Sequence, residues 1–369
     1  MKKVGIITFH NAHNYGAVLQ AYALQEKIKE LGYEPCIINY RNRKILKPYK
    51  LIKYSKKNPI KCIKMIYDSL KNYKINKVRY DKFNTFINTN FNMTNAYKTL
   101  NKLKKDYPQL DCYITGSDQV WNPGIVGNLS DAYTLNFGND KINRISYAAS
   151  IGKSTIEDKY KDDYKSKLSK INYISVREED AKIELEKILH KDIKVVLDPT
   201  LLLSTDEWKS KLTNIDKQTS KYILAYMVQA NDEYKKIVNY LSKKTGLKVI
   251  HFDKEKIYDN ELKSAYTAEP FEFIDLIKNA EYVVATSFHA TVFSIIFSKK
   301  FFVVPHLKTG SRITNLLEKL GIEGRIYHKL EEFENVDYDF ETNYIQVKEK
   351  LKEEKEKSIK FLKEAIENK

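Results

Sequence analysis

The sequence predicts an α/β protein of two Rossmann-like domains, each with a parallel sheet, facing a cleft between them. Three observations lead there. At 369 residues the chain is too long for one ordinary core. Short β-rich apolar runs alternate with helical periodicity, the pattern of parallel sheets with crossover helices. The alternation restarts after a break at Asp198-Pro199-Thr200. An apolar share of 42%, with only 8 Pro and 12 Gly, argues for folded structure rather than long linkers.

The elements follow in order. Val4 to Phe9 reads as a strand and Ala17 to Leu31 as a helix, with Leu19, Ala23, Leu24, Ile28 and Leu31 on one face. Gly32 stops that helix, and Cys36 to Tyr40 is the next strand. Residues 41 to 107 are rich in Lys, Tyr and Asn and read as two or three covering helices, with a mobile segment near Lys44 to Asn58. Strands follow at Asp111 to Thr115, Ile145 to Ser150, Ile171 to Val176 and Val195 to Leu197, with a helix over Glu178 to Leu189. The second half gives strands at Tyr222 to Val228, Lys248 to Phe252, Tyr282 to Ala285 and Phe301 to Val304. Its helices run over Asp232 to Thr245, Pro270 to Lys278, His289 to Phe297 and Ile313 to Leu320. The expected domains are 1–197 and 198–342, with a charged terminal helix over 343–369 packing back across the hinge.

The formal charge is +16, from 64 Lys and Arg against 48 Asp and Glu. Lys dominates amid Asn, Ile and Tyr, so a genome-wide A/T bias is the plain explanation. Attraction to an anionic substrate or a membrane surface is the sharper one. There is no zinc-finger spacing or RNA-recognition signature, so nucleic acid is not an expected partner. Cys36, Cys62 and Cys112 form neither a disulfide framework nor a metal quartet, and no metal site is expected. The start leads straight into a strand, and the most apolar stretch, Val283 to Phe297, is too short to span a bilayer. A soluble cytoplasmic protein is expected, with peripheral contact at the inner face of the membrane as one of the sharper readings of its positive charge.

Ligands of open α/β sheets gather beyond the carboxyl ends of strands, beside helix starts. Five polar segments occupy such places. The first holds His10, His13, Asn14, Tyr15 and Gly16, where a glycine admits close backbone approach and the helix start offers amides. Its rival reading is a loop with a capping Asn. The second, Thr115 to Pro123, presents Ser117 and Asp118, with Trp121 read as structural. The third, Ser175 to Glu178 at a strand end, holds Arg177, whose guanidinium fork suits a carboxylate or phosphate, or pairs with Glu178 or Glu179. The fourth, Thr286 to Thr291, places Ser287 and His289 at the head of an apolar helix. An imidazole there can serve as a general acid. The fifth, Pro305 to Arg312, offers Lys308 and Arg312 to phosphate. No Walker lysine or full Gly-x-Gly-x-x-Gly is present, so neither ATP hydrolysis nor a nicotinamide cofactor is expected.

At these residues the sequence resembles the polysaccharide pyruvyl transferase family. The matching stretches are His10 to Leu24, Ile114 to Pro123, Ser146 to Gly152, Ser175 to Glu178, Val196 to Leu201, Ser287 to Ser294 and Ser311 to Leu317. The resemblance implies a GT-B-like fold, phosphoenolpyruvate as co-substrate with no bound cofactor, and a sugar acceptor that can be lipid-linked. It implies His289 as the catalytic histidine and Arg177 as a donor-binding arginine. Characterised members commonly carry Arg-Leu-His where this chain has Ser287-Phe288-His289, and Gly where Ala290 stands. Arg312 or Lys308 is then expected to supply the charge missing at Ser287. Two rival functions remain open from the sequence: a GT-B glycosyltransferase using a nucleotide sugar, and a non-catalytic sugar-binding protein of a polymer-assembly complex.

Overall fold

The computed structural model describes residues 1–55, 58–212, 221–228, 230–305, 311–338 and 343–368. The first sheet comprises β1 (Lys3–Ile7), β2 (Glu34–Ile37), β3 (Cys112–Thr115), β4 (Asn143–Ala149), β5 (Tyr173–Val176) and β6 (Lys194–Val195). The second comprises β7 (Tyr222–Tyr226), β8 (Lys248–His251), β9 (Glu261–Ser264), β10 (Tyr282–Ala285) and β11 (Lys300–Val303). Every pairing is parallel, in the orders β2-β1-β3-β4-β5-β6 and β11-β10-β7-β8-β9. Helices cover these sheets, so β3, β7 and β10 are buried along their whole length, which is why they read as unbroken apolar runs.

The chain divides into two compact units, Met1–Leu202 with Glu356–Lys369, and Leu203–Lys355. The first unit runs past the expected break at 197 because Asp198 is tied into it by buried hydrogen bonds to Ser117 and Arg177. The terminal helix, Tyr344–Glu367, begins in the second unit and ends in the first. Within the second, Lys319 reaches Glu354 at 2.5 Å. Within the first, Leu197 N–H donates to Ser358 Oγ at 2.9 Å, and Lys2 Nζ donates to the carbonyl of Ile366 at 2.9 Å.

Two of the longer helices depart from expectation. The helix Tyr15–Glu30, read as one-sided, buries 13 of its 16 residues. It packs against the first sheet on one side and takes the helix Tyr73–Asn90 on the other, where Tyr15 meets Phe83 and Tyr22 meets Phe86. The helix Asp158–Leu168 was not visible in the sequence, because only Tyr164 and Leu168 of it are buried. Strand β9 was missed for a related reason: it is a partly exposed edge strand, Glu-Leu-Lys-Ser, whose charges suit an edge and hide the β pattern. Part of the segment expected to be mobile forms the short helix Arg43–Leu46 and a turn at Lys47–Tyr49; residues 56 and 57 lie outside the described residues.

Candidate functional site

In each sheet the strand order reverses once, between β1 and β3 in the first unit and between β7 and β10 in the second. Ligands of open parallel sheets bind beyond the carboxyl ends of strands at such reversals, where adjacent loops diverge. Three of the five polar segments follow these four strands: the loop 8–14 after β1, residues 116–118 after β3, and residues 286–289 after β10. Arg177 follows β5 and the last segment follows β11.

In the first unit these loops meet in a buried polar network. Gly116 has φ +114, and a Cβ there would stand 2.1 Å from the Tyr147 carbonyl oxygen, so the turn out of β3 requires glycine. Ser117 N–H donates to Gln20 Oε1 at 3.1 Å, and Gln20 Nε2 donates to Thr8 Oγ1 at 2.9 Å. Thr8 Oγ1 in turn donates to the Ser117 carbonyl at 3.1 Å, closing a ring that locks the β1 and β3 loops together. Ser117 Oγ donates to Asp198 Oδ2 at 3.0 Å, and Arg177 Nη1 reaches the same oxygen at 2.7 Å. Arg177 Nε holds Glu178 Oε1 at 3.0 Å. Thr200 satisfies the other Asp198 oxygen twice, through its amide at 3.0 Å and its hydroxyl at 2.7 Å.

The charge of Arg177 is therefore already matched. Burial alone would weaken its proton affinity, yet the carboxylates of Glu178, Asp198 and Asp118 outweigh burial and raise it. Three acids surround one guanidinium, a net negative setting. Glu178 is buried, and its second oxygen, Oε2, has no hydrogen-bond partner among the described residues. A buried acceptor left without a donor costs about 1–3 kcal/mol, which a bound hydroxyl would relieve. Asp118 stands half-buried beside this cluster, in a left-handed conformation with φ 70.

The loop after β1 divides between support and surface. His10 is fully buried between the Thr8 carbonyl and Asn39, and burial pushes its pKa down to about 4. His13 lies among Tyr49, Tyr80 and Phe83, stacked on the last at 5.3 Å. Burial, then the charge of Arg79, push it down to about 4, so both imidazoles are neutral at pH 7. Arg79 Nη1 donates to Tyr15 Oη at 2.8 Å and lies over the Tyr15 and Phe83 rings. Tyr15 and Gly16 are buried core, and half-buried Asn14 caps the helix by accepting from Ala17 N–H at 3.1 Å. Tyr49, brought beside this loop by the Lys47–Tyr49 turn, has its phenol pushed up to about 12 by burial and the Asp118 charge.

In the second unit, His289 lies in the first turn of the helix Phe288–Ile296, directly beyond β10, and is 8% exposed. Its ring meets Phe288 edge-on at 5.2 Å. Val228 N–H, after β7, donates to Thr286 Oγ1 at 2.9 Å and ties the two diverging loops. Ser287 occupies the cap position with an extended backbone and no side-chain capping bond. Arg312 is half-buried in the first turn of the helix Ser311–Leu320, which follows β11. Lys308 lies outside the described residues.

The sequence reading missed three participants, Asp198, Gln20 and Thr8, whereas the pairing of Arg177 with Glu178 was its alternative reading of that segment and is present, buried rather than at the surface. Asp198 stood within a matched stretch but read only as a chain break, and no local pattern marks a carboxylate whose partners lie 21 and 81 positions away. His251 was also passed over. At the end of β8 it is fully buried, with Nε2 2.9 Å from Glu261 on β9 and Nδ1 3.8 Å from Asp253. Burial lowers its proton affinity, but the two carboxylates more than compensate and raise its pKa above the usual value. The folded chain then binds this proton more tightly than the unfolded chain. The resulting stability is complete below the unfolded value of about 6.5 and is lost as pH rises through the folded one. The stability gap between wild type and His251→Gln in urea should therefore be larger near pH ~5.5 than near pH ~9. A gap independent of pH would remove this pair from the balance.

Among the described residues no cluster of three or more His, Cys, Asp or Glu is arranged to hold a metal ion. No described helix is long and apolar enough to cross a membrane.

Residues 14–307 match the polysaccharide pyruvyl transferase family. No curated protein matches the sequence. Among solved structures, UDP-GlcNAc 2-epimerase from Methanocaldococcus jannaschii, in complex with UDP-GlcNAc and UDP, superposes with TM-score 0.51 at 14% identity, over 94% of this chain and 98% of that one. The Neisseria meningitidis UDP-GlcNAc 2-epimerase bound to UDP-GlcNAc gives 0.50 at 14%, over 98% and 94%. UDP-N-acetylglucosamine 2-epimerase from Rickettsia bellii gives 0.51 at 12%, over 98% and 96%. At such identities the likeness is one of fold, and it is the GT-B fold.

Proposed function

Because the chain belongs to the polysaccharide pyruvyl transferase family, we propose that it moves pyruvate from phosphoenolpyruvate onto a pair of sugar hydroxyls as a cyclic ketal. The observation that carries this reading is His289, held in the first turn of a helix at the strand-order reversal of the second sheet. A doubly acidic donor needs fixed positive potential and a proton source. Helix-start amides beside Ser287 and the guanidinium of Arg312 supply the first, with Lys308 as a further candidate. His289 supplies the second.

The first unit carries a different chemistry. Its net negative cluster repels a phosphate but suits the hydroxyls of a sugar. In this assignment Arg177 positions Asp198 and Glu178 rather than meeting the donor bare. Ser117 and Asp118 line the same strand ends, and the aromatic group of His13, Tyr49 and Tyr80 lies beside them. His289 gives a proton to the methylene carbon of the donor, and a sugar hydroxyl attacks the central carbon and loses its proton to water. The bond between the central carbon and the bridging phosphate oxygen breaks, its electron pair stays on that oxygen as inorganic phosphate departs, and the second hydroxyl closes the ring with loss of its proton.

Incubation with phosphoenolpyruvate and a panel of free and lipid-linked sugars tests the reading, following phosphate release and product mass. Acceptor-dependent phosphate release with a pyruvylated product is expected. Thermal stabilisation by nucleotide sugars, with none by phosphoenolpyruvate and no phosphate release, would favour a GT-B glycosyltransferase instead.

A further inference from the structure

Among the described residues, thirteen large apolar side chains remain exposed, and eight of them fall between positions 52 and 78. Scattered single exposures are ordinary, but a concentration of this kind marks an interaction surface. Its centre is the helix Pro59–Lys71, of which only Ser69 is buried. Ile60, Ile63, Tyr67 and Leu70 are 80%, 71%, 66% and 59% exposed. At about 100° per residue these four share an arc of roughly 80°, so they form one stripe along the outer side of the helix. Lys64 and Lys71 follow at one edge of that arc, with Lys61 and Asp68 beyond them. Exposed Ile52, Tyr54, Tyr73 and Val78 flank the helix in sequence.

We propose that this helix docks the protein on the surface of an anionic lipid bilayer, lying in the interface with Ile60, Ile63, Tyr67 and Leu70 among the acyl chains. Charge selects the occupant. Between positions 50 and 82 the sequence carries eleven Lys and Arg against two Asp, and Asp81 is paired with Lys77 at 2.5 Å. A second copy would bring an equally cationic face against this one, and like charges would oppose the contact. An anionic headgroup layer presents opposite charge beside an apolar phase, matching a stripe edged with lysines. Tyr54, Tyr67 and Tyr73 suit the same boundary, each having an apolar ring and a polar tip. Lys61, Lys64, Asn58 and Asp68 line a shallow groove with Ile60 and Met65, open to such headgroups.

The test is co-sedimentation of the full chain with vesicles of phosphatidylcholine alone, or with about 30% phosphatidylglycerol, at low and high salt. Wild type is expected to bind the anionic vesicles, to release them in high salt, and to ignore the neutral ones. The variant Ile63→Asp/Tyr67→Asp/Leu70→Asp should lose at least about tenfold in partitioning, with an unchanged melting temperature because all three sites are exposed. Lys61→Gln/Lys64→Gln/Lys71→Gln should bind at least about tenfold more weakly and with less salt dependence. Failure of wild type to bind anionic vesicles, equal binding to neutral ones, or wild-type binding by the triple Asp variant would each overturn the proposal. So would a dimer that the Asp variant converts to monomer, which would assign the stripe to a second copy.

Discussion

Asp198→Ala should lower the unfolding free energy by about 3–5 kcal/mol, the cost of breaking a buried ion pair together with the hydrogen bonds that its carboxylate accepts. The Asp198 side chain is fully buried and accepts from Ser117 Oγ, Arg177 Nη1, and the amide and hydroxyl of Thr200. Alanine removes these four acceptor contacts at once and takes one carboxylate away from the buried Arg177 guanidinium, 3% exposed, which Glu178 also pairs. Asp198→Asn isolates the charge from the geometry, since an amide oxygen can still serve Thr200. It should cost less than Ala, while Thr200→Val should cost only about 1 kcal/mol. Urea unfolding of the three variants gives the order directly. If Asp198→Ala unfolds at the wild-type midpoint, the network is not what fixes this corner of the first unit.

The largest expected effect on turnover belongs to His289. Its replacement by Ala should reduce phosphate release from phosphoenolpyruvate by about 100-fold or more, the usual worth of a positioned general acid. The ring is mostly buried at a helix start, so melting temperature must be followed in parallel. His289→Gln keeps volume and polarity but cannot deliver a proton, and should be as inactive as Ala while folding as wild type. Full turnover in His289→Gln would take the imidazole out of the proton-transfer step.

The GT-B architecture was legible because buried parallel strands advertise themselves. β10 appears in the structure with the bounds read from its apolar run, Tyr282–Ala285. The helix Asp232–Thr245 is likewise framed by local chemistry, with Asn231 capping its start and Gly246 ending it in a left-handed turn. What stayed hidden was decided by distant pairing or by exposure. Edge strand β9 is polar, and the helix Asp158–Leu168 has two buried residues and an otherwise charged surface. The candidate site divides in the same way. Strand-end position picked out Ser117, Arg177 and His289, but no spacing rule could join Arg177 to Asp198 or Thr8 to Gln20. The histidine pair 10 and 13 drew attention by composition, whereas the fold uses His10 as an uncharged strut and sets His13 among aromatic rings.

The terminal helix bears on how the chain is made. Lys2 closes a hydrogen bond with the Glu367 carbonyl 365 positions away, and Asn143 Nδ2 donates to the carbonyl of Ala365 at 2.7 Å. The first unit is thus completed by residues made only after the whole of the second unit. Its β1 and β4 neighbourhoods wait, incompletely covered, until synthesis reaches residue 356 and beyond, while the later-made half assembles meanwhile. A nascent chain stalled shortly before that point would expose the earlier half to proteases, a vulnerability removed only by the final turns of helix.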